Sequence, residues 1–479
     1  LRVGRNAIRW LSVLAAGAAV VALAVPASAM PAGPSWGKAQ QVVTPATRAK
    51  SEGGIKSVSC APGGYCAAGG FYQTSAGKWA AYVVTGTNGD WGKISLINVS
   101  GLRQTVPPSP ATLKVSCPSA GNCVAVGTYA DLNNAEQPFV VSEKNGTWGK
   151  AQAVPGLKTV SGDLDAVVFS LACASPGNCV VGGQYQNSTE SQSEQPWAAA
   201  EKNGVWGEAE DVPGTAKLNI VQGNVTSISC TTGGTCLGVG SYQVGESTVQ
   251  FVITESKGTW STAQTIPDLP AGGYLSLASC STDGSCTVAG GVSAGQNSEQ
   301  LFTILRKNGT WGAVNDIRGT KAFDGGLVSL SCYMRGYCTS AGAYNDAARH
   351  VQSFVAVERS GYWHPAENLP GIGRLSHGKD FAAQVTGLSC PNTYNCAVTG
   401  WANIYVTPTV VRTEGIVASL INGVWHWAEV IPGITALDGN GNSEAVSVAC
   451  SKPDHCTAGG SYELAGSTSP LAFLVNQGA

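Results

Sequence analysis

Sixteen cysteines are the residues of this chain best placed to do chemistry, and their spacing limits what that chemistry is. They form eight Cys-x5-Cys pairs: Cys60 and Cys66, Cys117 and Cys123, Cys173 and Cys179, Cys230 and Cys236, Cys280 and Cys286, Cys332 and Cys338, Cys390 and Cys396, and Cys450 and Cys456. Thiols in this number either ligate metal or oxidise. Zinc sites use shorter Cys-x2-4-Cys spacing, and two repeats would have to bring their loops together. An even count in an exported chain reads as disulfides, each closing the hairpin to which both its cysteines belong. A loop this small stabilises by roughly 2 kcal/mol at most, so the bonds are local staples.

The remaining candidates are sparse. His350, His364, His377, His426 and His455 show no metal-ligand spacing and no Ser/His/Asp set. Asp163, Asp165 and Asp380 fall on loops of variable length, where a pair of carboxylates would serve a glycan hydrolase or lyase. Asp438, Asn440 and Asn442 place oxygens at alternate positions, like the first half of a calcium loop, without its later glycine and glutamate. That makes calcium the one cofactor to consider. Trp401 and Tyr405 with His377, Lys379 and Asp380 form the most divergent aromatic and polar group, suited to stacking on a sugar or gripping a protein. A net charge of −2 with no basic stripe argues against nucleic acid.

The elements that must position these residues follow from the period. Successive pairs begin 50 to 60 residues apart, and a glycine follows each second cysteine by four residues. Seven pairs are followed by a polar turn and a tryptophan, as in Asn145-Gly146-Thr147-Trp148 and Asn422-Gly423-Val424-Trp425. Asn-Gly between apolar runs marks a tight hairpin, because both central residues need positive φ. Each repeat therefore reads as four antiparallel strands, with the first two joined at the Cys loop and the last two at the Trp turn. That unit is a propeller blade. The eighth repeat ends before its Trp strand, and Trp36–Val43 near the N-terminus resembles Trp148–Val154. The expected fold is an all-β, eight-bladed propeller whose last blade combines about 450–479 with a strand at 36–43. The 62 glycines, 23 prolines and 12% charged residues fit tightly packed sheets and many turns.

The Lys144-Asn145-Gly146-Thr147-Trp148 and Lys307-Asn308-Gly309-Thr310-Trp311 turns resemble a degenerate Asp-box hairpin of sialidase-like propellers. The resemblance implies the same position in the blade. The arginine triad and tyrosine nucleophile of sialidase chemistry do not map onto this chain, so the activity is not implied. The whole Ser-Cys-x5-Cys-x3-Gly-x-Tyr unit is similar to repeats in secreted actinobacterial proteins, a resemblance that carries no known activity. Tyr72, Tyr129, Tyr185, Tyr242, Tyr344 and Tyr462 occupy one repeat position, which favours packing over ligand binding.

Residues 1–29 read as a signal peptide: Arg2, Arg5 and Arg9, an apolar run from Trp10 to Val25, then Ala27-Ser28-Ala29. The expectation is a secreted monomer with residues 30–479 as one propeller and no stable membrane anchor. Its function is expected to be binding of a carbohydrate or envelope protein by the variable-loop face, with a glycan hydrolase or lyase, or a passive scaffold, as alternatives.

Overall fold

The computed structural model describes residues 35–44, 52–106, 112–162, 164–187, 193–216, 218, 220–295, 298–375, 382–407 and 410–478. Pro34–Ala479 is one compact unit, and the segment read as a signal peptide lies outside the described residues. Eight antiparallel sheets succeed one another along the chain. In blade one, for example, Gly53–Cys60 pairs with Tyr65–Gln73, which pairs with Trp79–Thr87, which pairs with Asp90–Trp91 and Ser95–Leu96. The ring closes as the repeat pattern requires. Gln40 and Gln41 pair with Leu474 and Phe473, and Trp36 bridges Gln477, so an N-terminal strand completes blade eight.

All sixteen cysteines are oxidised within their own Cys-x5-Cys unit. Cys60 is bonded to Cys66, Cys117 to Cys123, Cys173 to Cys179 and Cys230 to Cys236. Cys280 is bonded to Cys286, Cys332 to Cys338, Cys390 to Cys396 and Cys450 to Cys456, and no thiol is left free. The bridges are core and not accessible sites. The second cysteine of each pair is buried: Cys66, Cys123, Cys179, Cys236, Cys286, Cys338, Cys396 and Cys456. Among the first cysteines, Cys117 and Cys332 are buried and the other six half-buried. Each staple therefore adds packing at its seam as well as closing its hairpin. The turns before the tryptophans take up the expected backbone: Asn145 has φ 50° and Gly146 has φ 80°, which only Asn, Asp or Gly adopts readily.

The core is divided into eight packets, one at each seam between blades. Every packet receives one recurring tryptophan from the later blade: Trp91, Trp148, Trp206, Trp260, Trp311, Trp363, Trp425 and, from the closing strand, Trp36. Trp36 also donates its indole N–H to Ser419 Oγ of blade seven at 3.3 Å. The repeated tyrosines are packing residues. Tyr72, Tyr129, Tyr185 and Tyr462 are buried, and the hydroxyls of Tyr185, Tyr344 and Tyr462 meet Asp211, Asn368 and Gln41 on the fourth strands of their own blades.

Serines join the innermost strands across every seam. Ser59, Ser116, Ser229, Ser279, Ser331 and Ser389 each sit just before a first cysteine, and each accepts the backbone N–H of the next blade's first cysteine at 2.9–3.2 Å. In blades three and eight alanine replaces that serine. Ser170 and Ser447, two residues earlier, take over and accept from Ile228 N and Val58 N. Seven first strands also share a bulged residue four before the first cysteine, at Lys56, Phe169, Thr226, Ser276, Val328, Thr386 and Val446. Blade two has no such slip between Leu113 and Ser116.

Candidate functional site

The two ends of the blades differ in how much they vary. At one end the Cys loop and the Trp turn of a blade are hydrogen-bonded together. Asn88 N donates to Gly64 O, Gly146 N to Gly121 O, Gly204 N to Gly177 O, Gly361 N to Gly336 O and Gly423 N to Tyr394 O, all at 2.8–3.0 Å. The second-to-third strand loops and the blade connections occupy the opposite end, and there the blades diverge.

Blade seven diverges most. Its central hairpin pairs Cys396–Thr407 with Val410–Ile421. The second strand runs seven residues past its repeat glycine, Gly400, whereas in the other blades it runs three to five. At about 3.3 Å per residue that strand is some 7–13 Å longer beyond the glycine than in the other blades. Val410 and Val411 at its tip are exposed.

Trp401 and Tyr405 both lie on this hairpin. Trp401 is half-buried and pairs with Gln384 on one side and Gly415 on the other. On the Gly415 side no cross-strand side chain stands opposite it, and on the other side Gln384 does. Tyr405, also half-buried, pairs with Val411. His377, Lys379, Asp380 and Asp163 lie outside the described residues. Asp165 is committed locally, since its Oδ1 accepts the backbone N–H of Glu136 at 2.7 Å.

The hairpin is anchored by a polar network that the sequence did not announce. Arg412 Nη2 lies 3.4 Å from Glu414 Oε1, and its Nη1 donates to Asn440 Oδ1 at 3.0 Å. Glu414 Oε2 accepts from Ser443 Oγ at 2.8 Å. Thr413 N donates to Asn442 Oδ1, and Asn442 Nδ2 donates to Glu463 Oε2. The alternation of Arg412 and Glu414 in an otherwise apolar run was the available signal. Their partners are about 30 residues away, which no local pattern reveals.

Asp438, Asn440 and Asn442 thus sit together between blades seven and eight, but their oxygens face different partners. Asp438 Oδ1 accepts from Asn440 N at 2.8 Å, Asn440 Oδ1 is taken by Arg412, and Asn442 Oδ1 by Thr413 N. Asp438 Oδ2 is buried without a partner. Among the described residues no three His, Cys, Asp or Glu side chains group as metal ligands.

Asp438 and Glu414 are a buried carboxyl pair. Burial pushes the Glu414 carboxyl up, the Ser443 bond lowers it, the Asp438 charge raises it and Arg412 lowers it. Neighbouring carboxyls in unlike surroundings are what acid–base chemistry uses. Both side chains, however, are closed to solvent, at 0% and 1% exposure, so a substrate bond cannot lie between them in this form.

A second feature was missed beside the Gly373–Gln384 connection. The Arg374 guanidinium stacks on the Trp427 ring at 3.7 Å, and Trp427 is 42% exposed. Trp425-His426-Trp427 is the only Trp-x-Trp in the chain, and that repeat irregularity could have marked it. Two other arginines are engaged elsewhere: Arg359 of blade six donates to Gly423 O at the Cys-loop end of blade seven, and Arg306 lies over Trp311 in blade five.

These features define a disulfide-stapled, eight-bladed β-propeller with one lengthened hairpin. No family model matches the chain, and no curated protein matches it. Among solved structures it is similar to a Hadza microbial sialidase, at 13% identity over 72% of this chain and 73% of that one, with a TM-score of 0.38. An ulvan lyase of a polysaccharide lyase family is similar at 9% identity over 78% of this chain and 95% of its own, with a TM-score of 0.40. A Trypanosoma rangeli sialidase in complex with sialic acid is similar at 10% identity over 81% and 55%, with a TM-score of 0.37.

Proposed function

We propose that this protein is an exported binding module that takes a carbohydrate on its variable-loop end, centred on the blade seven hairpin. The observation that carries the reading is the break in symmetry. In seven blades the second strand ends three to five residues past its repeat glycine, and in blade seven it continues for seven, with Trp401 and Tyr405 along it. A ligand without eightfold symmetry must be read by what differs between blades. The Arg374–Trp427 stack adds a rigid, partly exposed aromatic surface beside the same blade. His377, Lys379 and Asp380 belong to the adjoining connection and would supply its polar contacts. Eight disulfides fit an oxidising compartment, in keeping with export. The closed Asp438–Glu414 pair favours binding over hydrolysis.

A glycan array on the purified chain, with product release assayed for every glycan that binds, tests the reading. Trp401→Ala should weaken the best glycan by about 1 kcal/mol or more while leaving Tm nearly unchanged. Asn122→Ala in a Cys loop is the control and should leave binding intact. Loss of binding through the Cys-loop variant alone, with the hairpin variant silent, would refute the proposal.

A further inference from the structure

Five side chains meet at the Cys-loop end of the seam between blades six and seven, and the strand register fixes their directions. Residues paired across antiparallel strands share a face, and neighbours along a strand take opposite ones. Cys338 lies against blade five, with its Sγ 3.8 Å from Thr287 Oγ1, so Tyr337 beside it is turned to blade seven. Met334 pairs with Tyr337 and shares that direction. Glu358 is turned to blade five, where its Oε1 accepts from Asn315 Nδ2 at 3.2 Å, so Arg359 is turned to blade seven. There Arg359 Nη2 donates to Gly423 O at 2.7 Å, and the guanidinium lies over the Tyr394 ring at 5.6 Å. Tyr362 pairs with Arg359 and stands on the same face. The Tyr337 hydroxyl meets Ser360 Oγ at 3.0 Å, which ties the Cys loop of blade six to its Trp turn.

Other seams carry nothing similar. At the same five positions the seam of blades two and three has Ser119, Asn122, Lys144, Thr147 and Gly177. The seam of blades four and five has Thr232, Thr235, Ser256, Thr259 and Gly284. Tyr394 stands where six Cys loops have glycine: Gly64, Gly121, Gly177, Gly234, Gly284 and Gly336, with φ of 69° to 89°. Tyr394 does not take that backbone. Its loop is held instead by Asn392 Oδ1, which accepts from Tyr394 N and Asn395 N, both at 2.8 Å. Blade seven has therefore given up the shared turn, and what it gains is an aromatic ring on the surface.

The group is open to water. Tyr362 is 75% exposed, and Met334, Tyr394 and the neighbouring Val424 are exposed too. Among the described residues of the Cys loops and Trp turns, Val205 is the only other exposed large apolar side chain. Tyrosine, methionine and arginine are the residues that protein interfaces concentrate at their centres, while lysine, aspartate and glutamate are depleted there. The five side chains match that composition. Their charge is positive, and exposed Arg335, next to Met334, adds a second guanidinium. Neither arginine is ion-paired among the described residues. Asp283 in the preceding Cys loop already accepts from Ser285 and from the Arg335 backbone, and Glu358 faces the other side of its sheet.

We infer that this face docks a partner protein through an acidic segment, with Tyr362 and Tyr394 as aromatic anchors and Arg335 and Arg359 meeting its carboxylates. The surface lies at the opposite end of the blades from the blade seven hairpin and does not depend on the glycan reading given for it.

A phage library of random dodecapeptides is panned against the full chain, and the recovered peptides are synthesised and titrated by fluorescence anisotropy. They should be richer in Asp and Glu than the unselected library, and sodium chloride should weaken their binding. Tyr362→Ser/Tyr394→Ser should bind them at least about tenfold more weakly, and Arg335→Glu should weaken them as well. Tyr362→Ser alone alters a side chain already in water, so it should fold and still show a loss if the double variant is unstable. Val205→Ser, at the same turn position in blade three, is the control and should leave binding intact. Recovery of no peptide that depends on Tyr362 and Tyr394 would overturn the inference. Equal binding after Asp and Glu of the peptides are replaced by Asn and Gln would do the same. So would a glycan whose binding the double variant abolishes, or self-association of the chain in sedimentation that Tyr362→Ser disperses.

Discussion

The two ends of the propeller teach opposite lessons from the same repeat. At the Cys-loop end, eight near-identical loops are stapled by disulfides, and in five blades the turns are tied to those loops by the same backbone bonds. Repetition there serves cohesion, and the tryptophans it supplies fill one seam each. At the connection end, blade seven departs in length, aromatic content and charge, and its departure is held in place by a buried network of its own. Where every blade agrees, the residues hold the ring together. Where one blade disagrees, something outside the ring is the better explanation.

The sharpest test of the cohesive half is at its closure. Deleting Trp36–Val43 removes Trp36 from the seam of blades seven and eight and bares the Pro470–Asn476 strand as an edge. We expect the largest effect of any change considered: more than the roughly 3–5 kcal/mol that loss of one buried tryptophan costs, with aggregation of the product. Denaturant unfolding and light scattering measure both. An unchanged unfolding midpoint would mean the ring does not need its closing strand.

A smaller effect comes from the acids under the turns. Glu143, Glu201, Glu255 and Glu358 occupy one repeat position, and burial raises all four carboxyls. Glu358 is pushed up to about 7, from an ordinary 4.5, against lowering bonds from Asn315 and the Cys338 backbone. The folded chain therefore keeps that proton where the unfolded chain has lost it. The associated stability is fully present below pH 4.5 and is lost as pH rises towards about 7, by roughly 3 kcal/mol. Glu358→Gln should flatten that part of the stability–pH curve, which denaturant titrations at pH 4.5 to 8 would reveal. An unchanged slope would locate the pH dependence elsewhere.

The smallest effect should come from a single staple. Replacing Cys230 and Cys236 by alanine is expected to cost about 2 kcal/mol or less, because the loop it opens is short and the hairpin register is held on both sides. Calorimetry of the double variant checks this. A larger loss would mean that the bond shapes the seam and not only its own hairpin.

The parts of this molecule legible in the sequence are those that repeat at short range. The Cys pairing, the Asn-Gly turns, the four-stranded blade and the displaced closing strand were all readable, because each depends on residues near one another or on an evident copy. The serine clasps were visible only as a letter before six of the eight first cysteines. Their role needs the next blade, more than 50 residues on. The Arg412–Glu414–Ser443 network was invisible for the same reason. Trp401 was legible as an oddity, but its position in mid-strand opposite Gly415 depends on a hairpin whose extra length the pattern did not predict.

The serine clasps have a consequence for how such a protein changes size. Every seam is fastened by a main-chain amide of one blade donating to a side-chain oxygen of the blade before it, and the donating amide makes no demand on its own side chain. The fastening is therefore interchangeable. A gene that gains or loses one repeat gains or loses one complete joint, and the two blades newly made neighbours already carry matching halves. Only the divided blade, shared between the two chain ends, must be kept. Ring size is in this sense a copy number, open to change by unequal recombination without the invention of any new interface.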